Sequence, residues 1–132
     1  MGYPKEYRYT KDHEWVKAEG GQARVGITEY AQGELGDIVY VELPTVGREV
    51  KQGESLATVE SVKAVSDVYA PVSGKVAETN HRLEEEPELI NKSPHDQGWL
   101  VAIEMADPKE LEGLMTAEEY EKFLEKGEEQ LN

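Results

Sequence analysis

The 132-residue sequence contains no cysteine. A disulfide framework, a thiol nucleophile and a thiolate-ligated zinc are thereby excluded, and any sulfur redox chemistry has to come from a cofactor. Positive charge is scarce: 14 Lys and Arg stand against 28 Asp and Glu, for a net charge of -14. Nucleic-acid phosphates and anionic lipid repel such a chain, which removes both from the partners worth considering. The same charge favours solubility and steers the protein toward basic patches on partner proteins, an effect that salt weakens. No apolar run approaches membrane-spanning length. The segment MGYPKEYRYTKDHEW has neither the apolar core of a secretory signal nor the acid-free, Arg-rich character of a transit peptide, so a cytoplasmic protein is expected.

Motifs of self-sufficient catalysis are missing too. His13, His81 and His95 are scattered, with no HExxH and no cluster at metal-ligand spacing, so no metal is expected. There is no GxSxG elbow, no Walker loop and no dinucleotide fingerprint.

What is present is a series of short alternating runs, from residue 14 to about 105, broken by Gly, Pro and Asn. This is the pattern of a small, mainly β domain, and the length suits one domain over residues 1–132. Residues 14–18 and 22–27 flank Gly20-Gly21, a pair suited to the positive φ angles of a hairpin. Thr28 caps a predicted helix over 29–35, with Gly36 at its left-handed end. Further strands are predicted at 37–43, 49–51, 55–61, 64–70, 75–79 and 99–105. Gly74 is read as fixing the turn that pairs with the strand 64–70. Residues 81–97 read as one long acidic loop. From Pro108 to about residue 127 the pattern turns helical: Leu111, Leu114 and Met115 share a face, and Thr116 with Glu119 forms a capping box. A last helix follows, with Ala117, Tyr120 and Leu124 on its apolar side and fraying from Glu128. Trp15 and Trp99 are read as core aromatics.

One segment is not explained by packing. The runs 55–61 and 64–70 are joined by Val62-Lys63, which sets Lys63 at a hairpin tip with its ammonium in solvent. Val62 and Lys63 are poor residues for the tightest hairpin turns. Spacing alone leaves a routine surface lysine as the plain alternative.

The stretch ESVKAVSDVYAPVSGKV resembles the lipoyl-attachment segment of the glycine cleavage system H proteins. The likeness extends to HEWV at His13, VGITEYAQ at Val25, LGDIVYVELP at Leu35, PELIN at Pro87 and GW at Gly98, in order along most of the chain. Biotin carriers typically flank the modified lysine with methionines, and lipoyl domains of 2-oxo acid dehydrogenases commonly place Asp before it; Val62 and Ala64 fit neither.

The resemblance implies a biotinyl/lipoyl-type hybrid-barrel β-sandwich with lipoic acid in amide linkage to Lys63. It implies a carrier subunit and not an enzyme. In such a system a pyridoxal-phosphate glycine decarboxylase loads an aminomethyl group onto the lipoyl sulfur. A tetrahydrofolate-dependent aminomethyltransferase unloads it, and an FAD-containing dihydrolipoyl dehydrogenase reoxidises the arm. A lipoate ligase or a lipoyl/octanoyl transferase attaches the group, with Glu60, Ser61, Val62 and Ala64 as recognition contacts. Glu14 and Asp67 match positions around a cleft where the loaded arm rests. Glu34, where relatives often have histidine, adds a possible third carboxylate. His95 stands where tyrosine is common and is given no role. Two other readings remain open at this point: a lipoyl relay for another complex, and an unmodified acidic interaction module.

Overall fold

The computed structural model describes residues 3–131. Its first strand, β1 (Arg8–Tyr9), lies ahead of the predicted β region and is two residues long. The first hairpin follows as read from the sequence: β2 (Glu14–Glu19) pairs antiparallel with β3 (Gln22–Ile27), and Gly20 and Gly21 take φ values of 52° and 86°. Helix α1 (Glu29–Leu35) starts at Thr28, whose hydroxyl accepts from the Ala31 N–H. It stops at Gly36, where φ is 83° and the N–H donates to the Gln32 carbonyl.

The chain then forms β4 (Ile38–Glu42), β5 (Glu49–Val50), β6 (Ser55–Ser61), β7 (Val65–Tyr69), β8 (Gly74–Thr79) and β9 (Val101–Met105). These strands make two antiparallel sheets, one of six strands in the order β1-β2-β3-β9-β8-β5 and one of three in the order β4-β6-β7. Alternation explains the packing: Leu56, Val59 and Val68 from the small sheet and Val25, Val76 and Ile103 from the large one are buried in a shared core. Burying one such side chain contributes about 1.5–3 kcal/mol.

Several details depart from the sequence reading. Residues 81–97 are not a plain loop, since α2 (Arg82–Glu85) and α3 (Leu89–Lys92) bury Leu83, Leu89 and Ile90 in the core. The turn at Pro108–Gly113 is a 3-10 helix. Gly74 pairs with Val50 and Met105 in the large sheet and not with β7. The Thr116–Glu119 capping box is formed in both directions, at 2.9 and 3.2 Å, and opens α4 (Ala117–Leu131). The fraying expected from Glu128 concerns the last residues of α4, whose side chains lie outside the described ones, and residue 132.

The apolar side of α4 packs on a second, aromatic cluster built from Tyr7, Tyr9, Trp15 and Tyr120. Tyr9 and Tyr120 stack with centroids 4.9 Å apart. Trp15 is buried, with its Nε1–H donating to the Pro94 carbonyl at 2.8 Å. Trp99 is half-buried and carries the Arg24 guanidinium over its ring.

Candidate functional site

The tip between β6 and β7 solves its turn problem with a side chain. The Ser61 N–H donates to the Ala64 carbonyl at 2.8 Å, closing one side of the turn. The Ser61 hydroxyl closes the other, accepting from the Lys63 N–H at 3.2 Å and the Ala64 N–H at 3.1 Å. This local bond takes over from the glycine or asparagine that a tight hairpin normally needs. Ser61, expected among the recognition contacts, is therefore buried and committed to holding the tip.

Lys63 is exposed, and among the described residues it makes no ion pair. Val62 is 70% exposed and Val65 67% exposed on either side of it. Glu60 is exposed on β6, in register with Tyr40 of β4 and Val65 of β7. Ala64 is exposed as well. An unpaired primary amine on a braced hairpin suits amide formation, and the residues around it leave the nitrogen approachable.

The tip rests on the connector between α1 and β4. The Val62 N–H donates to the Asp37 carbonyl at 3.0 Å, and a Cβ placed on Gly36 would lie 3.6 Å from the Lys63 Cε. Asn91 of α3 grips that connector: its Oδ1 accepts from the Ile38 N–H at 2.9 Å, and its Nδ2 donates to the Gly36 carbonyl at 2.9 Å and to Gln32 Oε1 at 2.8 Å. Asn91 had been assigned no role, although it closes the PELIN motif that begins at Pro87.

The three carboxylates assigned to the resting cleft differ in their surroundings. Glu14 is 2% exposed; its Oε1 accepts from the Thr10 hydroxyl at 2.6 Å and its Oε2 from the Tyr69 N–H at 3.0 Å. Burial pushes its pKa up to about 7, against the pull of those two donors. It lines a hollow of about 280 Å³ with Tyr9, Thr10, Tyr69 and Leu114. Asp67 is exposed two residues nearer the tip, accepting from the Ser55 hydroxyl at 3.0 Å. Glu34 is exposed on α1, near His13. Thr10 and Tyr69, which hold Glu14, were not marked in the sequence. The signal was the acid at residue 14 falling on an inward position of its strand.

The three histidines make separate contacts. His13, at φ 71°, meets the Tyr120 hydroxyl at 2.7 Å through Nδ1. His95 accepts the Glu29 N–H at 3.1 Å through Nε2, and burial lowers its pKa. His81 pairs with Glu84 on the surface. Among the described residues no helix is long and apolar enough to cross a membrane.

Comparison with known proteins gives one consistent result. A family model described as glycine cleavage H-protein matches residues 7–127. A glycine cleavage system H protein of Halothermothrix orenii is 58% identical over 128 residues, covering 97% of this chain and all of that one. One of Staphylococcus saprophyticus is 55% identical over 124 residues, covering 94% and 98%. The crystal structure of a glycine cleavage system H protein from Mycobacterium marinum superposes with a TM-score of 0.82 at 41% identity, covering 89% of this chain and 95% of that one.

Proposed function

The chain belongs to the glycine cleavage H-protein family, and from that premise we propose that Lys63 is the residue that bears its lipoyl group. The protein is a lipoyl carrier of the glycine cleavage system and not itself an enzyme. The observation that carries the Lys63 assignment is an exposed amine that makes no ion pair among the described residues, mounted on a turn whose four backbone N–H groups, from Ser61 to Ala64, are all bonded.

Attachment asks little of the carrier beyond presentation. The Lys63 nitrogen attacks an activated acyl carbonyl, a C–N bond forms, the activating group departs and the nitrogen gives up a proton. The product is a neutral amide on a long arm. When bound, the lipoyl group supplies a dithiolane sulfur that accepts the aminomethyl unit and is later reoxidised.

The residues of this chain then do three things. Glu60, Val62 and Ala64 offer the attaching enzyme, a lipoate ligase or a lipoyl/octanoyl transferase, a surface at the tip. The engaged tip limits the ordering that docking to each partner would otherwise cost. Glu14 offers a buried carboxyl near its titration point at neutral pH, and an arriving ammonium would draw it to the carboxylate. Asp67 lies on the way along β7, and Glu34 adds negative charge from α1. In this reading the partners are the pyridoxal-phosphate decarboxylase, the tetrahydrofolate-dependent aminomethyltransferase and the FAD-containing dihydrolipoyl dehydrogenase. The shuttle works where these meet, in the cytoplasm.

The test is intact mass and peptide mapping of the protein isolated from its own host. A lipoyl-sized addition on the Lys63 peptide, lost in Lys63→Arg, is expected. Acceptance of an aminomethyl group from the glycine decarboxylase separates this role from a relay to other complexes. A biotin-sized addition, or a bare Lys63 in cells with active lipoate metabolism, overturns the assignment.

A further inference from the structure

The hydrogen bonds around Asn91 form a path that ends at the attachment lysine although Asn91 lies 28 positions further along the chain. Its carboxamide makes three bonds, and all three go to α1 or to the segment that follows it: Gln32, Gly36 and Ile38. The orientation of that amide is set, because Gln32 Nε2 donates to the Glu29 carbonyl and so turns its oxygen toward Asn91. Between the two gripped residues, Gly36 and Ile38, stands Asp37, and its carbonyl receives the Val62 N–H at 3.0 Å. Val62 is the residue before Lys63, and the Lys63 stem passes beside Gly36.

We propose that Asn91 is a positioning residue for lipoyl attachment: by clamping the Gly36–Ile38 connector it fixes the carbonyl that docks Val62, and with it the direction in which Lys63 leaves the tip. This rests on the assignment of Lys63 as the modified residue. Ser61 closes the turn from within, and the β4–β6 ladder reaches the base of the turn at the Ile38–Ser61 pair. The Asp37–Val62 bond carries that hold one residue further, to the neighbour of Lys63. Gly36 has a positive φ and caps α1, so without the Asn91 donor the connector has no side chain holding its carbonyl.

The experiment uses the full-length apo protein, Asn91→Ala and Asn91→Asp. The aspartate keeps an acceptor for the Ile38 N–H and loses both donors. Two readouts are taken: amide hydrogen exchange resolved at Val62, and attachment kinetics with a lipoate–protein ligase, lipoic acid and magnesium ATP. In Asn91→Ala the Val62 amide should exchange at least tenfold faster, while Val59 and Ile103, deep in the two sheets, keep their protection. The KM for the carrier should rise about fivefold or more with kcat changed less than twofold, because a loose tip must be ordered on docking and reacts normally once docked. Asn91→Asp should be impaired at least as much as the alanine variant in both, because its second carboxylate oxygen faces the Gly36 and Gln32 oxygens. A general loss of fold would expose every amide alike. Unchanged Val62 exchange in a folded variant overturns the proposal, as does an unchanged KM, and so does failure of both variants to fold cooperatively, since Asn91 would then serve the fold and not the tip. Wild-type protein that stays unmodified at Lys63 in the same reaction would instead overturn the Lys63 assignment, and the exchange data judge Asn91 independently of it.

Discussion

The Glu14 carboxylate on β2 accepts the backbone N–H of Tyr69 on β7 at 3.0 Å, a bond between the two sheets made by a side chain that is 2% exposed. A buried acid here is costly as an anion, and burial raises its pKa from the usual 4.5 to about 7. The folded protein thus holds a proton between these values that the unfolded chain has released. The stability this group contributes is complete below pH 4.5 and is lost as pH rises toward 7, at no more than about 1.4 kcal/mol per pH unit. Glu14→Gln, neutral throughout, should flatten that part of the profile. Urea unfolding of both proteins at pH 5 and pH 7.5 checks it, and parallel profiles would refute it.

His95 has the opposite slope. Its Nε2 accepts the Glu29 N–H, which an imidazolium cannot do, and burial lowers its pKa below 6.5. Its contribution is complete above pH 6.5 and is lost as pH falls through the lowered value. His95→Gln, which retains an acceptor without a proton to gain, should lose stability less steeply between pH 6.5 and 5. His13, also lowered by burial, keeps part of the slope in place. Thermal melts across that range are the measurement.

Ser61→Ala should leave the Lys63 and Ala64 amides without their acceptor. The expected loss of stability is about 0.5–1.5 kcal/mol, with faster exchange at these two amides and restoration in Ser61→Thr. Full protection in the alanine variant would show the turn needs no hydroxyl.

Two glycines should respond in opposite directions. A Cβ at Gly74 would run into the Glu104 carbonyl oxygen, so Gly74→Ala forces β8 from β9 and should cost about 3 kcal/mol. Gly33 lies inside α1 with open space around its missing Cβ, and Gly33→Ala should stabilise by about 0.5–1 kcal/mol. A raised urea midpoint for Gly74→Ala, or a lowered one for Gly33→Ala, would contradict the corresponding expectation.

Features written in neighbouring residues were legible in the sequence: Gly20-Gly21, the Thr28 cap, and the Thr116–Glu119 box each depend on contacts within a few positions. Features that depend on distant pairings were not. Strand β1 exists because Arg8 faces Val16 and Tyr9 bridges to Met115, and two residues show no alternation of their own. Lys63 was visible as a tip residue because the two alternating runs frame it. The parts that brace it were hidden, since Asn91 acts over 53 residues on Ile38 and Glu14 over 55 on Tyr69.

The smaller sheet has two open margins, β4 on one side and β7 on the other. Unpaired strand margins are templates on which a foreign strand can build. On β4 the Ile38 N–H is occupied by Asn91, next to an irregularity in register between Ile38 and Tyr40; on β7 the Tyr69 N–H is occupied by Glu14. Each margin thus has one N–H taken by a side-chain oxygen, which removes that donor from the template a strand of another molecule would need at that point. The two side chains that brace the lipoyl-bearing fold from within thus also shorten the stretch of edge on which an unwanted strand could settle.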